Sequence, residues 1–447
     1  MKLSENLKIF LRYPYSLIPY KYRLHPSYYL TKNFLDKKKS LRIYQLKKLK
    51  EIIEYAYINC PGYFQLYKES NIKPKDLRNL SDIKLFPYIT KEILRDNLSD
   101  FVSRDINLKK KCYVTTSGSS GVPFGFYNTK EENAIELAFI HNSWEAIGWK
   151  LGDKSIVLRG SYIGSEKKIS YYNPSTKELH ISSYYLKQKT YNKIKNLFFS
   201  SQIQDIQAFP SAAINLANLV IDNNDIGKIH IRFIFLGSEN FNTWQEKKIY
   251  KAFPGAKIFA WYGLTEKCAF AIKHPKNDFY KIHGKYGYSE ILRKNRNNKI
   301  FFYKSEIVST SFFAKATPFV RYRTLDYATG KLNQNESISK IYRIEGRNHE
   351  FILSKSKKKI YVSSWASIFH DKIFDNINEF QFFQKKIGHV TLIIIPKKTF
   401  NDLDEQNLFI SIKKKFKNDL EVRIKKVITI KKKNNNKYSF INNIIKN

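Results

Sequence analysis

Between Tyr113 and Tyr127 the chain reads YVTTSGSSGVPFGFY, a run whose residue types suit the holding of a polyanion. Thr115, Thr116, Ser117, Ser119 and Ser120 supply hydroxyl donors. Gly118, Gly121 and Gly125 let the backbone turn tightly and bring N–H groups near an anion. A triphosphate is the natural guest. The same composition also serves solvent-exposed loops with no ligand, so the stretch alone leaves both readings open. Small and polar text recurs downstream: GSEN (Gly237 to Asn240), YGLTE (Tyr262 to Glu266), RYRTLDYATG from Arg321, and EGRNHE (Glu345 to Glu350).

These stretches need elements to place them, and apolar periodicity indicates which. Leu46, Leu49, Ile52, Ile53 and Ala56 recur at three- and four-residue spacing, which predicts a helix that Pro61-Gly62 ends. Thr90 is placed to cap a short helix, and Lys130 to Ile147 reads as a longer one with Ala134, Leu137, Ala138, Ile140 and Trp144 inward. Short β-branched or aromatic runs follow at Ser155 to Gly160, Asp205 to Phe209, Ile231 to Gly237 and Ala256 to Gly263, separated by helical text at Ser211 to Ile221 and Asn242 to Phe253. Such alternation predicts an α/β fold with a largely parallel, helix-covered sheet. Ligands in such sheets sit beyond the carboxyl ends of strands, which is where GSEN and YGLTE lie. Hairpin-like text comes next. The tail then predicts a hairpin (Phe351 to Val362), a helix (Ser363 to Asp371), two strands (Glu379 to Gln384, His389 to Ile395), a helix (Asp402 to Lys417) and a strand (Glu421 to Ile430). The expected division is a large domain over 1–346, with a helical lead-in over 1–110, and a small mobile α+β domain over 347–447.

Composition bounds the function. With 33 Phe and 31 Tyr in 447 residues the chain is not disordered. The formal charge of +40 comes from 79 Lys+Arg against 39 Asp+Glu, and it is spread through the chain in short runs. Diffuse charge without zinc-finger spacing or an aromatic-basic RNA-binding pattern argues for a solvated basic surface, with no nucleic acid expected. The three cysteines, Cys60, Cys112 and Cys268, fit neither a disulfide framework nor a cysteine zinc site. No signal peptide and no membrane-spanning apolar run are read, so a cytoplasmic location is expected. The basic, aromatic N-terminal segment could rest on an anionic membrane face, a peripheral contact at the inner membrane.

Taken in order, TTSGSSGVPFG, GSEN, YGLTE, RYRTLDYATG, EGRNHE and a late lysine-bearing tail resemble the adenylate-forming (ANL) superfamily of acyl- and aryl-CoA ligases, over essentially the whole chain. LKKLKEIIEYAYINCPGYFQLYKESNI followed by LFPYITKEIL looks like the phenylacetate-CoA ligase group, and FYKIHGKYGYSEIL looks like its CapK-like capsular-polysaccharide branch. The resemblance implies ATP-dependent conversion of a carboxylic acid to an acyl-adenylate, followed by transfer to coenzyme A or another nucleophile such as an amine on a sugar or a sugar nucleotide.

It also implies roles. Thr116, Ser117, Gly118, Ser119, Ser120 and Gly121 would hold the β- and γ-phosphates, with Phe124 standing where many relatives carry a lysine. Gly237, Ser238 and Glu239 would line the adenine pocket, and Tyr262 with Gly263 would present a flat face to the base. Thr265 would donate to the α-phosphate, Glu266 would hold Mg²⁺, Asp326 would accept both ribose hydroxyls, and Arg347 would contact ribose or phosphate beside the hinge. Lys437, preceded by Asn436 where the family has glycine, would be the lysine that the C-terminal unit brings to the site. Arg323 is read as either a ligand contact or structural. The acid pocket is expected between Lys130 to Trp149 and Phe209 to Ala217, opening toward Trp261 and Tyr262. Two other readings stay open: a homologue that binds nucleotide without turnover, and a basic protein that binds nucleic acid or a membrane surface.

Overall fold

A computed structural model describes residues 20–37, 40–116, 124–159, 169–292, 300–347, 351–357, 359–361, 376–430 and 441–443. Two compact units are present. One comprises Met1–Asp153, Pro174–Lys177 and Phe259–Ile344, the other Lys154–Asn173, Glu178–Ile258 and Glu345–Asn447.

In the first unit a helix at Pro26–Leu35, with proline in its first turn, lies within the expected helical lead-in. The predicted helix occupies Leu41–Asn59 and buries Leu49, Ile52, Ile53 and Ala56. Pro61 does more than end it. Proline tolerates the first helical turn because its missing N–H has no partner there, and Pro61 opens a second helix, Pro61–Glu69. Thr90 accepts from the backbone N–H of Ile93, the expected cap. Strands Lys111–Thr116 and Phe124–Thr129 form an antiparallel hairpin, and Thr129 and Glu132 make a reciprocal capping box for the helix Lys130–Glu145. Gly125, expected in a turn, lies inside the second of these strands. A Cβ there would meet the Tyr113 ring, so the glycine makes room for a cross-strand aromatic.

The strands of this unit pair antiparallel: Lys257–Gly263 with Phe270–Lys273, that with Tyr280–Ile282, and that with Ile338–Arg347. Phe301–Ser311 pairs with both Gly287–Leu292 and Tyr322–Leu332. Three of the four strands predicted from sequence are in the second unit, while the fourth, Lys257–Gly263, pairs antiparallel with Phe270–Lys273. Ser155–Arg159 lies between Glu178–Ser182 and Asp205–Ala208, and the latter pairs with Phe233–Leu236, all parallel. Helices Pro210–Asp222 and Thr243–Ala252 belong to this part. The C-terminal segment of the same unit has the strand order Glu421–Lys426, His389–Pro396, Ile377–Lys386, Ile441–Asn443. Helix Asp402–Phe416 seals it, burying Leu408 and Ile412 against Phe380, Phe382, Leu392 and Ile394. The short closing strand Ile441–Asn443 is not legible in the sequence. The expected helix at Ser363 to Asp371 lies outside the described residues.

Candidate active site

In the first unit the candidate residues grow from two strands. Along Lys257–Gly263 the consecutive residues Ile258, Phe259 and Ala260 are buried, and so is Tyr262. Across from it, Tyr322–Leu332 carries an irregularity. Register passes from Val308↔Arg323 to Glu306↔Tyr327, which leaves Ile307 opposite Thr324, Leu325 and Asp326. Leu325 takes φ 59°, a left-handed conformation that is unfavourable for a branched residue. Glu306 holds the bulge in place. It accepts from Arg323 Nε and Nη2 at 3.1 and 2.7 Å and from the Leu325 N–H at 3.3 Å. Arg323 therefore has a structural partner. Bulges of this kind re-aim a side chain. Here Asp326 is turned so that its Oδ2 accepts from the Tyr262 hydroxyl at 2.8 Å, both residues being buried. Burial, and then the neighbouring Asp326 charge, push the Tyr262 hydroxyl well above its usual range, so it stays a neutral donor.

Immediately after Tyr262 the chain turns, closed by Lys267 N–H to Leu264 O at 2.9 Å. Thr265 is exposed on this turn and Glu266 is buried. Glu266 Oε1 accepts from the Tyr322 hydroxyl at 3.0 Å. Tyr262, Glu266 and Asp326 are thus brought together, each through the strand Tyr322–Leu332. Tyr322 is a site residue that sequence reasoning missed, although it lies in the quoted RYRTLD text; no spacing rule links it to a carboxylate 56 positions earlier. Lys267, also missed, is buried in an ion pair with Glu136 of the helix Lys130–Glu145. That helix presents Trp144, 6.0 Å from Trp261 between ring centroids and 5.3 Å from Trp149. Cys268 is fully buried, and burial followed by the Glu266 charge raises its thiol far above the reactive range.

In the second unit, Gly237 is buried at the end of Phe233–Leu236, and Ser238 adopts φ 68°. Glu239 accepts from the Ser211 N–H and hydroxyl, both at 3.0 Å, and so satisfies the first turn of the helix Pro210–Asp222. Ser211 is the partner that sequence reasoning did not find. Of the remaining candidates, Thr116 ends the strand Lys111–Thr116, and Gly263 ends Lys257–Gly263. The Arg347 backbone ends Ile338–Arg347. Ser117, Gly118, Ser119, Ser120, Gly121 and Lys437 lie outside the described residues.

Comparison with known proteins supplies the frame for this geometry. The family model described as the CapK C-terminal domain matches residues 352–444. Protein CapK of Staphylococcus aureus is 25% identical over 414 residues, covering 88% of this chain and 86% of that protein. A phenylacetate-coenzyme A ligase of Pseudomonas putida is 25% identical over 322 residues, 70% of this chain and 72% of that one. Among solved structures, 2-hydroxyisobutyryl-CoA ligase in the postadenylation state superposes with a TM-score of 0.68 at 15% identity, covering 89% of this chain and 88% of that one. The GH3.15 acyl acid amido synthetase gives 0.58 at 14%, covering 88% of each chain. By sequence the chain is similar to CapK over most of its length and to phenylacetate-coenzyme A ligases over about two thirds of it, and its fold is that of the adenylate-forming ligases. No described helix is long and apolar enough to cross a membrane.

Proposed function

We propose that this protein uses ATP and Mg²⁺ to activate a carboxylic acid as its acyl-adenylate and passes the acyl group to coenzyme A or to another nucleophile, in the building of a surface polysaccharide. The observation that carries the reading is the pairing of Tyr262 with Asp326 at 2.8 Å, beside a Glu266 oriented by Tyr322. It places a flat aromatic face, a carboxylate able to take two hydroxyl donors and a second, separately held carboxylate around one strand end. Relatives named as CapK and as phenylacetate-coenzyme A ligases support the acid-activating role, and the CapK relationship supports the polysaccharide context.

In this reading Asp326 accepts the two ribose hydroxyls and Tyr262 underlies the adenine, while its hydroxyl keeps Asp326 in place. The backbone and hydroxyls of Thr116 to Gly121 grip the β- and γ-phosphates. A substrate carboxylate oxygen attacks the α-phosphorus as the bond from that phosphorus to the bridging oxygen of pyrophosphate breaks, giving acyl-AMP and pyrophosphate. Thr265 donates to the α-phosphate, and Arg347 and Lys437 offset the charge that builds there. The donor chemistry at Glu266 fits magnesium, a hard ion that takes one or two protein carboxylates and completes its shell with phosphates and water. When bound there it supplies charge neutralisation at the phosphates. Glu266 contributes an oxygen whose orientation Tyr322 fixes. The segment 347–447 acts as the small mobile domain that delivers Lys437.

The test is carboxylate-dependent exchange of labelled pyrophosphate into ATP, screened over aryl, acyl and amino acids. Exchange in the wild type that collapses in Glu266→Gln and in Lys437→Ala supports the reading. ATP binding by calorimetry with no exchange for any acid would replace it with a nucleotide-binding homologue that does not turn over.

A further inference from the structure

The helix Pro210–Asp222 is buried on most sides by alanine, leucine, isoleucine and valine. One stripe breaks that pattern. Ser211, Asn215, Asn218 and Asp222 follow one another at four-, three- and four-residue spacing, which sets them on a single face. Ser211 is bonded to Glu239 at one end of the stripe. Further along, Asn215 Nδ2 donates to Glu379 Oε1 at 2.9 Å, and Asn218 Nδ2 donates to the Asn378 carbonyl at 3.4 Å. A cavity of about 510 Å³ follows the stripe, inside the roughly 300–1,000 Å³ range of small-molecule sites. Asn215, Asn218 and Asp222 line one side, and Asn378, Glu379 and Thr429 the other. Leu186, Leu219, Ile395 and Ile430 add an aliphatic wall.

Two features define the guest. Asn218 is only 4% exposed, and its Oδ1 has no hydrogen-bond partner among the described residues. A buried amide oxygen in that state is unfavourable, and a ligand O–H or N–H relieves it. Charge is the second feature. On a chain of formal charge +40, the ionisable groups lining this cavity are Asp222, Glu379 and Lys187, and Asp222 is paired at 2.6 Å with Lys397. Polyanions are not favoured in such a lining. A second cavity, of about 630 Å³ in the C-terminal segment, is lined instead by Lys355, Lys385, Lys386, Lys413 and Arg423, and there they are. Amides and carboxylates facing an aliphatic wall match a ring with hydroxyls around its edge and C–H groups on its face, because one carboxamide offers a donor and an acceptor side by side to adjacent hydroxyls.

We infer that this cavity binds a monosaccharide unit, neutral or amine-bearing, as the acceptor of the acyl group. Its hydroxyl or amine attacks the acyl carbonyl carbon of the acyl-adenylate. A C–O or C–N bond forms as the bond from that carbon to the adenylate oxygen breaks, AMP leaves, and the nucleophile's proton passes to water. The inference rests on the ligase reading above and names the acceptor's class. Asn218 lies seven residues beyond Ser211, about 10 Å along the helix axis. A sugar seated at Asn218 is therefore one end of a polar track whose other end is tied to Glu239 in the Gly237 to Asn240 segment.

The experiment uses the full chain without nucleotide. Saturation-transfer NMR and calorimetry are run with glucosamine, N-acetylglucosamine and myo-inositol, and inorganic pyrophosphate serves as an anionic control. Saccharide binding is expected to weaken about tenfold or more in Asn218→Leu, the effect of one lost buried polar pairing. Asp222→Asn is expected to weaken glucosamine more than N-acetylglucosamine, and Lys386→Ala, in the other cavity, to leave both unchanged. No saccharide binding, equal affinity in wild type, Asn218→Leu and Asp222→Asn, or loss in Lys386→Ala overturns the inference. If Asn218→Leu does not fold by circular dichroism, Asp222→Asn decides. Pyrophosphate exchange on the same samples reports the ligase reading separately. Exchange without saccharide binding refutes the acceptor site alone, while binding without exchange refutes the ligase reading and with it the word acceptor.

Discussion

Removing one oxygen atom tests whether the Tyr262–Asp326 pair serves the nucleotide. In Tyr262→Phe the ring, and with it the face offered to adenine, is kept. What is lost is the 2.8 Å bond to Asp326 Oδ2, in a place where both residues are buried. A hydrogen bond to a charged group contributes about 1.5–3 kcal/mol, which corresponds to roughly 10- to 100-fold in affinity. The low end applies to ATP-bound protein. Ribose hydroxyls supply donors to the same carboxylate and restore part of the loss, and the Leu325 bulge still holds the backbone through Glu306. The KM for ATP in pyrophosphate exchange should therefore rise about tenfold, by the same conversion. The KM for the acid should stay within about twofold, since the substitution keeps the ring at position 262 toward which the acid pocket opens. Melting temperature, followed by circular dichroism with and without ATP, separates stability from binding. A lower melting temperature with an unchanged KM for ATP would refute the reasoning, because it would make the pair a packing feature only.

Glu266→Gln should reduce exchange by more than tenfold and Tyr322→Phe by about threefold to tenfold, the phenol acting through orientation alone; at saturating Mg²⁺ the Tyr322→Phe loss should shrink, and equal losses at all Mg²⁺ concentrations would argue against that division. Breaking the buried Arg321–Glu290 pair, 2.7 Å apart, by Glu290→Ala leaves an uncompensated guanidinium and should cost about 3–5 kcal/mol in urea unfolding. His283 packs edge-on at 4.8 Å against Phe139, and burial followed by the Lys285 charge lowers its imidazole from 6.5 to about 4. A folded-state value below the unfolded one means stability that is present above pH 6.5 and lost as pH falls through about 4, at most about 3 kcal/mol; unfolding midpoints of His283→Gln should fall less than wild type over that window. Gly287→Ala should lower the melting temperature clearly, since its Cβ would lie 2.4 Å from the Cys268 carbonyl oxygen and 2.8 Å from that of Thr310, both backbone atoms that cannot step aside.

Much of this architecture is legible in the sequence because it rests on local rules. The helix Lys130–Glu145 announces itself by apolar spacing and by a Thr-x-x-Glu box at its start, and both are satisfied within a few residues. The strands Ser155–Arg159 and Phe233–Leu236 read as largely apolar runs because they are buried on both faces. Where two local rules compete, the text is ambiguous. Pro61-Gly62 is a stop for one helix and an acceptable first turn for the next, and only the packing of Tyr63 and Tyr67 chooses. Gly125 reads as a turn residue because glycine permits any turn; that it makes room for Tyr113 depends on cross-strand register, which single-residue propensity does not contain.

The site divides in the same way. Tyr262 and Glu266 stand out as small polar text after an apolar strand, and Asp326 only through the family resemblance of RYRTLD; the groups that position them do not stand out. Tyr322 reaches Glu266 from 56 residues away, Ser211 meets Glu239 across 28, and Glu306 holds the Leu325 bulge across 19. Each is an ordinary residue type whose role is created by the fold. That asymmetry has a physical origin: groups that touch a nucleotide must be chemically special, whereas groups that orient them need only a hydroxyl or carboxylate in the right place, which any strand can supply. Asn218 belongs to the second kind by residue type and to the first by situation. Between the aliphatic Ala217 and Leu219, on the face that also carries Asn215 and Asp222, the helix keeps a buried carboxamide whose oxygen has no partner among the described residues, at a cost to folding. Leucine would fill a similar volume without that cost but would withdraw the donor from the Asn378 carbonyl, so the Asn218 nitrogen has a structural role and its oxygen is the half that the inferred saccharide completes.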